Sequence, residues 1–191
     1  MMSAGSGQKH RLFTGLSLTP EVRDYVSGVV VELSREVPDV RWVPTENFHV
    51  TLKFLGVCDE DQVEDLVAAM RKASRHLPLE LTIGGVGAFP SSGSARVIWV
   101  GATDLEDRVE KVYNVLEKGA EKCGFPREKR RYTPHITVGR SRKQPVSLPR
   151  GLLERFTEKL PLEVRDIVLF ESVLRRSGAE YSVLEKVGQP R

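Results

Sequence analysis

Apolar positions recur along this chain at two periods, and the switches between them divide it into strands and helices. Alternation at period two puts successive side chains on opposite faces of a strand. It marks residues 11–18, with Leu12, Leu16 and Leu18 on one face and Phe13 opposing, and returns over residues 48–56 and 135–140. Strands are also predicted over 79–86, 95–100, 162–174 and 180–187, the last two joined through a turn at Ser177-Gly178. Helical spacing marks three segments. In the first, Thr19-Pro20-Glu21 supplies an N-cap, a proline at the first helical position and an acid in the first turn. Val22, Tyr25, Val26, Val29 and Leu33 then form its stripe as far as Glu36. The second covers 59–76 with Val63, Leu66, Val67 and Met70. The third covers 104–123 with Leu105, Val109, Val112, Leu116 and Ala120, and Gly124 ends it. A short helical stretch follows at 152–159.

Two of the strands carry one pattern, His-apolar-Thr-apolar, as His49-Val50-Thr51-Leu52 and His135-Ile136-Thr137-Val138. On strict alternation His49, Thr51 and Lys53 share one face while Val50, Leu52 and Phe54 form the core face. His135 and Thr137 likewise oppose Ile136 and Val138. With four histidines in the chain, two such pairs arise by chance on the order of one or two times in a hundred at average Thr usage. The settings match as well. A long amphipathic helix precedes each strand, followed by a loop with Arg, an aromatic and Pro: Arg41-Trp42-Val43-Pro44 before the first, Arg131-Tyr132-Thr133-Pro134 before the second. The arrangement suggests an internal duplication. It predicts an α+β fold of two similar lobes built on antiparallel sheets.

Bulk properties narrow the chemistry. The chain has 191 residues, of which 40% are apolar and 29% charged, with a net charge of +3. That suits one domain over 11–191 behind a flexible tail at 1–10, and permits an anionic ligand without requiring one. Cys58 and Cys123 are too few for a disulfide framework or a cysteine-rich zinc site, so a reducing cytoplasm is expected. No stretch has the length and apolarity of a membrane span. The glycines at 84, 85 and 87, with Phe89-Pro90-Ser91-Ser92-Gly93, read as a loop between two hairpin strands. The cluster lacks the Gly-Lys-Ser/Thr ending of a phosphate loop. His76, near a helix end, suits the helix dipole rather than chemistry. No His-Glu-x-x-His or comparable third-ligand spacing accompanies His49 and His135, so a metallohydrolase is disfavoured and no metal or cofactor is expected. No heptad seam calls for assembly, and a monomer is expected.

Across NFHVTLKFLG, FPSSGSARVIWVG, YTPHITVGR and LFESVLRRSGAEYSVLEK, in that order, the chain resembles the two-histidine phosphoesterase superfamily. Within it the similarity is to the RNA 2′,3′-cyclic phosphodiesterases, also known as 2′-5′ RNA ligases. The resemblance implies a bilobal fold with pseudo-twofold symmetry and a central cleft. It also implies metal-independent hydrolysis of 2′,3′-cyclic phosphate ends of RNA or oligonucleotides to 2′-phosphates, with a reversible ligase reaction as a companion. His49 is then the proton donor and His135 the proton acceptor, a pairing that imidazoles suit because their pKa lies near working pH. Thr51 and Thr137 would bind the phosphate oxygens, with Arg140 and then Arg131 as further substrate-binding residues. Trp42, Phe48 and Tyr132 are open between base stacking and core packing. A non-catalytic module of the same fold that binds a nucleotide or RNA end is the alternative.

Overall fold

The computed structural model describes residues 9–175 and 178–188. Ser177 of the expected turn and residues 1–8 of the expected tail lie outside them. The first strand, β1 (His10–Leu16), begins one residue before the predicted start. Helix α1 (Pro20–Glu36) opens as its sequence prescribes, the Thr19 hydroxyl accepting from the Val22 amide. A short strand the periodicity does not reveal, β2 (Val40–Trp42), precedes β3 (Val50–Cys58). Helix α2 (Glu60–Ala73) starts from a reciprocal capping box between Asp59 and Gln62, in which each side chain satisfies a backbone amide of the first turn.

The glycine-rich segment is a strand rather than a loop. β4 (Leu79–Ser91) and β5 (Ser94–Asp104) form a long hairpin that closes tightly at Ser92-Gly93. Gly87 faces Trp99 across the pair, and a Cβ there would lie 2.3 Å from the indole, so the glycine leaves room for the ring. Helix α3 (Arg108–Lys122) begins four residues later than predicted because the Asp104 carboxylate accepts from the amides of Glu106 and Val109. Leu105 is left 89% exposed, off the apolar stripe. Then come β6 (His135–Ser141), a single turn α4 (Arg150–Leu153), β7 (Lys159–Val164), β8 (Asp166–Leu174) and β9 (Ala179–Gly188).

The strands lie in the order β7-β4-β5-β6-β3-β1-β8-β9, every pairing antiparallel, with β2 added to β6. Between β3 and β6 one residue pair, Val50 opposite Ile136, is in register. This contact joins two four-stranded halves, β3-β1-β8-β9 and β6-β5-β4-β7, related by a pseudo-twofold that exchanges β3 with β6 and β1 with β5. The helices cover one face of the curled sheet. α1 packs against β2 and β7 of the opposite half, and α3 packs against α2 and β3. Gly119 of α3 sits so near Ala69 of α2 that a Cβ would fall 2.3 Å from the alanine methyl. Leu12, Leu16, Val50, Leu52, Ile98, Val100, Ile136 and Val138 fill the core between helices and sheet. Each such burial contributes about 1.5–3 kcal/mol for a large aliphatic side chain. The other face of the sheet is left to form a cleft. Among the described residues no helix is long and apolar enough to cross a membrane.

Candidate active site

The pairing of Val50 with Ile136 also builds the site. Both side chains are fully buried on the helix side, so the residues flanking each must point into the cleft. Because the strands run antiparallel, Thr51 comes beside His135 and His49 beside Thr137. One backbone contact therefore gathers the four residues that the repeated motif singled out. Thr51, His135, Thr137, Arg131 and Arg140 line a single cavity of about 590 Å³.

The two imidazoles are held alike. His49 Nδ1 is 2.7 Å from the carbonyl oxygen of Asn47, and His135 Nδ1 is 2.6 Å from that of Thr133, in each case two residues back. A carbonyl can only accept, so Nδ1 carries the proton and Nε2 of the neutral ring is left with its lone pair. In His49 that nitrogen lies 2.9 Å from Thr51 Oγ1, which donates to it. Their surroundings differ. Phe13, Phe170 and Tyr181 enclose His49, with ring centroids 4.7, 5.6 and 5.4 Å away. His135 meets the edge of Phe89 at 5.1 Å and Trp99 at 6.1 Å. Burial lowers the His49 pKa from 6.5 to about 4, against the opposing pull of the Asn47 carbonyl and with help from the charge His135 would carry. Burial lowers His135 too, again opposed by its carbonyl partner and assisted by the Arg140 guanidinium. Both rings are therefore neutral near pH 7 until an anion enters.

Lys53 and Phe54 correct the alternation. In the pairing of β3 with β1, Thr14 faces Lys53 and Gly15 faces Thr51, so Leu52 is an extra residue and the strand bulges there. Beyond the bulge the faces exchange. Lys53 turns to the helix side, 7% exposed, with Nζ 2.8 Å from the Glu117 carboxylate and donating to the Pro126 carbonyl at 2.7 Å. Phe54 turns into the cleft and is 66% exposed. The other carboxylate oxygen of Glu117 accepts from the Glu128 amide at 3.1 Å. Tyr132 donates to the Thr51 carbonyl at 2.9 Å and stacks on Tyr113 at 4.2 Å. The basic loop over 127–132 is thus tied to the first His strand. Its Arg130 is paired with Glu128 at 2.9 Å. Among the described residues Arg131 and Arg140 have no ion-pair partner and remain available to an anion. Phe48 lies in the core and Trp42 packs over Gly139, and neither lines the cavity.

Arg96, Phe54 and Phe89 also line the cavity, and the motif alone does not disclose them. The two His strands share a further feature that the same reading misses: each bulges at the residue after its Thr, Leu52 against β1 and Val138 against β5, which sets Gly15 opposite Thr51 and Trp99 opposite Thr137. Among the described residues no three His, Cys, Asp or Glu side chains converge as a metal site would require.

Known proteins bear on this geometry. The RNA 2′,3′-cyclic phosphodiesterase of Archaeoglobus fulgidus is 32% identical over 175 residues, 91% of this chain and 97% of that protein. The protein of the same name from Methanothermobacter thermautotrophicus is 34% identical over 173 residues, 88% and 90% of the two chains. The crystal structure of TT0787 from Thermus thermophilus superimposes with a TM-score of 0.75 at 27% identity, covering 93% of this chain and 97% of that one. E. coli LigT, crystallised with 3′-AMP, shares the fold at a TM-score of 0.76 and 24% identity, over 96% of this chain and all of the other. The model of the LigT-like phosphoesterases matches two successive segments, residues 16–99 and 100–181, one around each His-x-Thr strand. With the duplicated motif converging in one cleft, the chain belongs to the LigT-like phosphoesterase family.

Proposed function

We propose that this protein hydrolyses 2′,3′-cyclic phosphate ends of RNA or oligonucleotides to 2′-phosphates without a metal ion. The observation that carries this reading is the pair of imidazoles, each held as the Nδ1–H tautomer by a carbonyl, with His135, Thr51 and Thr137 lining one cavity and His49 joined to it through Thr51. The names of the relatives, RNA 2′,3′-cyclic phosphodiesterase, support the substrate. A cyclic phosphodiester opens when water attacks phosphorus in line with the departing ribose oxygen. Water must lose a proton on one side of phosphorus, and the 3′-oxygen must gain one on the other.

His135 is the acceptor, taking the water proton on Nε2, and His49 is the donor, giving the Nε2 proton to O3′ as the P–O3′ bond breaks. The anionic substrate charges His49 on arrival, since a phosphate beside the ring favours its cation. Once Nε2 is protonated it no longer accepts from Thr51, and the freed hydroxyl turns to a non-bridging oxygen. Thr137 binds the other side. Arg140, with Arg131 behind it, neutralises the phosphate, for which a planar guanidinium suits bidentate contact. Ligation joins a 2′,3′-cyclic end to a hydroxyl that takes the place of water, the P–O3′ bond breaking as before; its reversal, attack of O3′ on the new 2′-phosphodiester with departure of that hydroxyl, exchanges the roles of the two histidines.

We place the protein in the reducing cytoplasm as a monomer. Its two cysteines, Cys58 and Cys123, are unpaired thiols, in keeping with that compartment. The test is an oligonucleotide ending in 2′,3′-cyclic phosphate, incubated with EDTA and wild-type, His49→Ala or His135→Ala protein. The expected outcome is a 2′-phosphate from wild type and none from either variant. Strict metal dependence refutes the mechanism. Tight binding with no turnover makes the chain an RNA-end binding module instead.

A further inference from the structure

The bulge at Val138 decides where the end of β6 points. Ile98 lies opposite Gly139 and Trp99 opposite Thr137, so Val138 is an extra residue and the faces exchange beyond it. Gly139 turns to the helix side, against Val40 and Trp42, and Arg140 turns into the cleft. Strand β2 pairs with β6 at this point, and its Arg41 stands directly opposite Arg140. Residues paired in register share a face, with Cβ atoms about 4.5–5.5 Å apart. Arg41 is therefore on the cleft face as well, just outside the cavity that Arg140 lines.

Like charges in directly opposed positions repel, where an acid in either place would stabilise the pair. Neither β2 nor β6 contains an Asp or Glu. Among the described residues no carboxylate forms an ion pair with Arg41, Arg140 or Arg96. Arg96 is the extra residue where β5 bulges against β4, and its side chain lines the cavity. All three arginines are exposed. A cyclic phosphate carries a single negative charge, which Arg140 and Arg131 already meet. The charge at Arg41 is surplus to that anion and lies on the way out of the cavity.

We propose that Arg41 binds the phosphodiester joining the terminal nucleotide to its neighbour, the contact that makes the cleft prefer an oligonucleotide end to a mononucleotide. This rests on the reading of the cleft as a cyclic phosphodiesterase site. A phosphate beside two opposed guanidiniums turns their repulsion into shared attraction, and the planar fork of Arg41 suits its oxygens. The contact is to the backbone, so it selects for a second phosphate and not for a base sequence. Arg41 is exposed and its charge opposes that of Arg140, so Arg41→Gln folds as wild type does.

The experiment measures kcat and KM at about 50 mM salt, where phosphate contacts count strongly, in wild type, Arg41→Gln and Arg41→Lys. The substrates are adenosine 2′,3′-cyclic phosphate, a dinucleotide of two adenosines ending in 2′,3′-cyclic phosphate, and the same dinucleotide with an uncharged methylphosphonate linkage. In wild type the charged dinucleotide has the lowest KM of the three. Arg41→Gln raises that KM about 5- to 10-fold at nearly constant kcat, between the best exposed ion pair and the weakest hydrogen bond to a charged group. Arg41→Lys restores part of the loss. The other two substrates stay within about twofold of wild type, a margin below that effect. For the charged dinucleotide the slope of log kcat/KM against log salt becomes shallower by about 0.7, the share of one single-strand phosphate contact. An equal rise for all three substrates, a rise that the methylphosphonate shares, or no rise overturns the proposal. If wild type turns over none of them, the phosphodiesterase reading fails by itself. The contact is then judged by calorimetric binding of the dinucleotide carrying a 2′-phosphate against adenosine 2′-phosphate. Weaker binding of the dinucleotide alone in Arg41→Gln sustains it, and unchanged or uniformly weakened binding overturns it.

Discussion

Replacing Lys53 by Met tests whether the buried ion pair behind the first His strand holds this half of the cleft together. Lys53 and Glu117 are 7% and 2% exposed, and their charged atoms are 2.8 Å apart. Met keeps the length and apolar stem of the lysine but removes its charge, leaving the Glu117 carboxylate buried without a counter-charge, though still accepting from the Glu128 amide, and depriving the Pro126 carbonyl of its donor. Removing one partner of a buried pair typically costs about 3–5 kcal/mol, because the surviving charge has lost both water and counter-charge. In a chain of this size each kcal/mol shifts the melting temperature by about 2–4 °C, so the expected fall is about 6–20 °C. Circular dichroism melts in parallel with urea titration measure it. The double variant Lys53→Met/Glu117→Gln should recover much of the loss, since it also removes the stranded charge. A fall of less than about 3 °C, well under the smallest expected for breaking a buried pair, or a double variant no better than the single one, refutes the argument.

Other outcomes follow from the same geometry. His49 has its pKa lowered by burial to about 4, so between pH 6.5 and 4 the unfolded chain binds a proton that the folded one refuses. Stability from this group is complete above pH 6.5 and lost as pH falls through 4, on the order of 3 kcal/mol in all; urea titrations at pH 7 and 4 should show a smaller loss in His49→Gln. Both histidines titrate below their ordinary value in the free protein, so the bell of kcat/KM against pH should peak on the acid side of 6.5. Gly15→Ala puts a methyl 2.8 Å from the Val50 carbonyl oxygen and 3.4 Å from the His49 ring. It should cost about 1–3 kcal/mol in a chemical melt and lower kcat more than it raises KM. Tyr132→Phe removes the donor to the Thr51 carbonyl and should cost about 0.5–1.5 kcal/mol, with a weakened salt dependence of substrate binding as the basic loop loses its anchor.

Much of the site was legible because its signal is local. The His-x-Thr spacing, the apolar residues between and the helix before each strand are neighbours in the chain. Two similar lobes followed from finding the pattern twice. What escaped depends on partners far away in sequence. The bulge at Leu52 exists only in the register of β3 against β1, and nothing within residues 48–56 announces it. Strict alternation therefore sent Lys53 to the cleft and Phe54 to the core, the reverse of what is found. Glycines misled in another way. Gly84, Gly85 and Gly87 suggested a loop, yet Gly84 lets β4 run close beside β7, Gly87 leaves room for the broad Trp99, and Gly85 takes the positive φ of 73° where β4 bulges against β5.

The strand order carries a consequence for how the protein is made. β1 and β3 come from the start of the chain, but their half of the sheet is completed by β8 and β9 at its end, while the whole of β4 to β7 lies between. A chain still emerging from the ribosome could build the His135 half from contiguous segments. His49 would meanwhile face water, since Phe170 and Tyr181 of its enclosure belong to the last two strands. Until those strands dock, Phe13 alone of the three rings can cover it, and the burial that lowers its pKa is incomplete. The enclosure of His49 is thus completed last, so truncation within the final hairpin leaves both motifs intact but takes Tyr181 from the first histidine while the second keeps its surroundings.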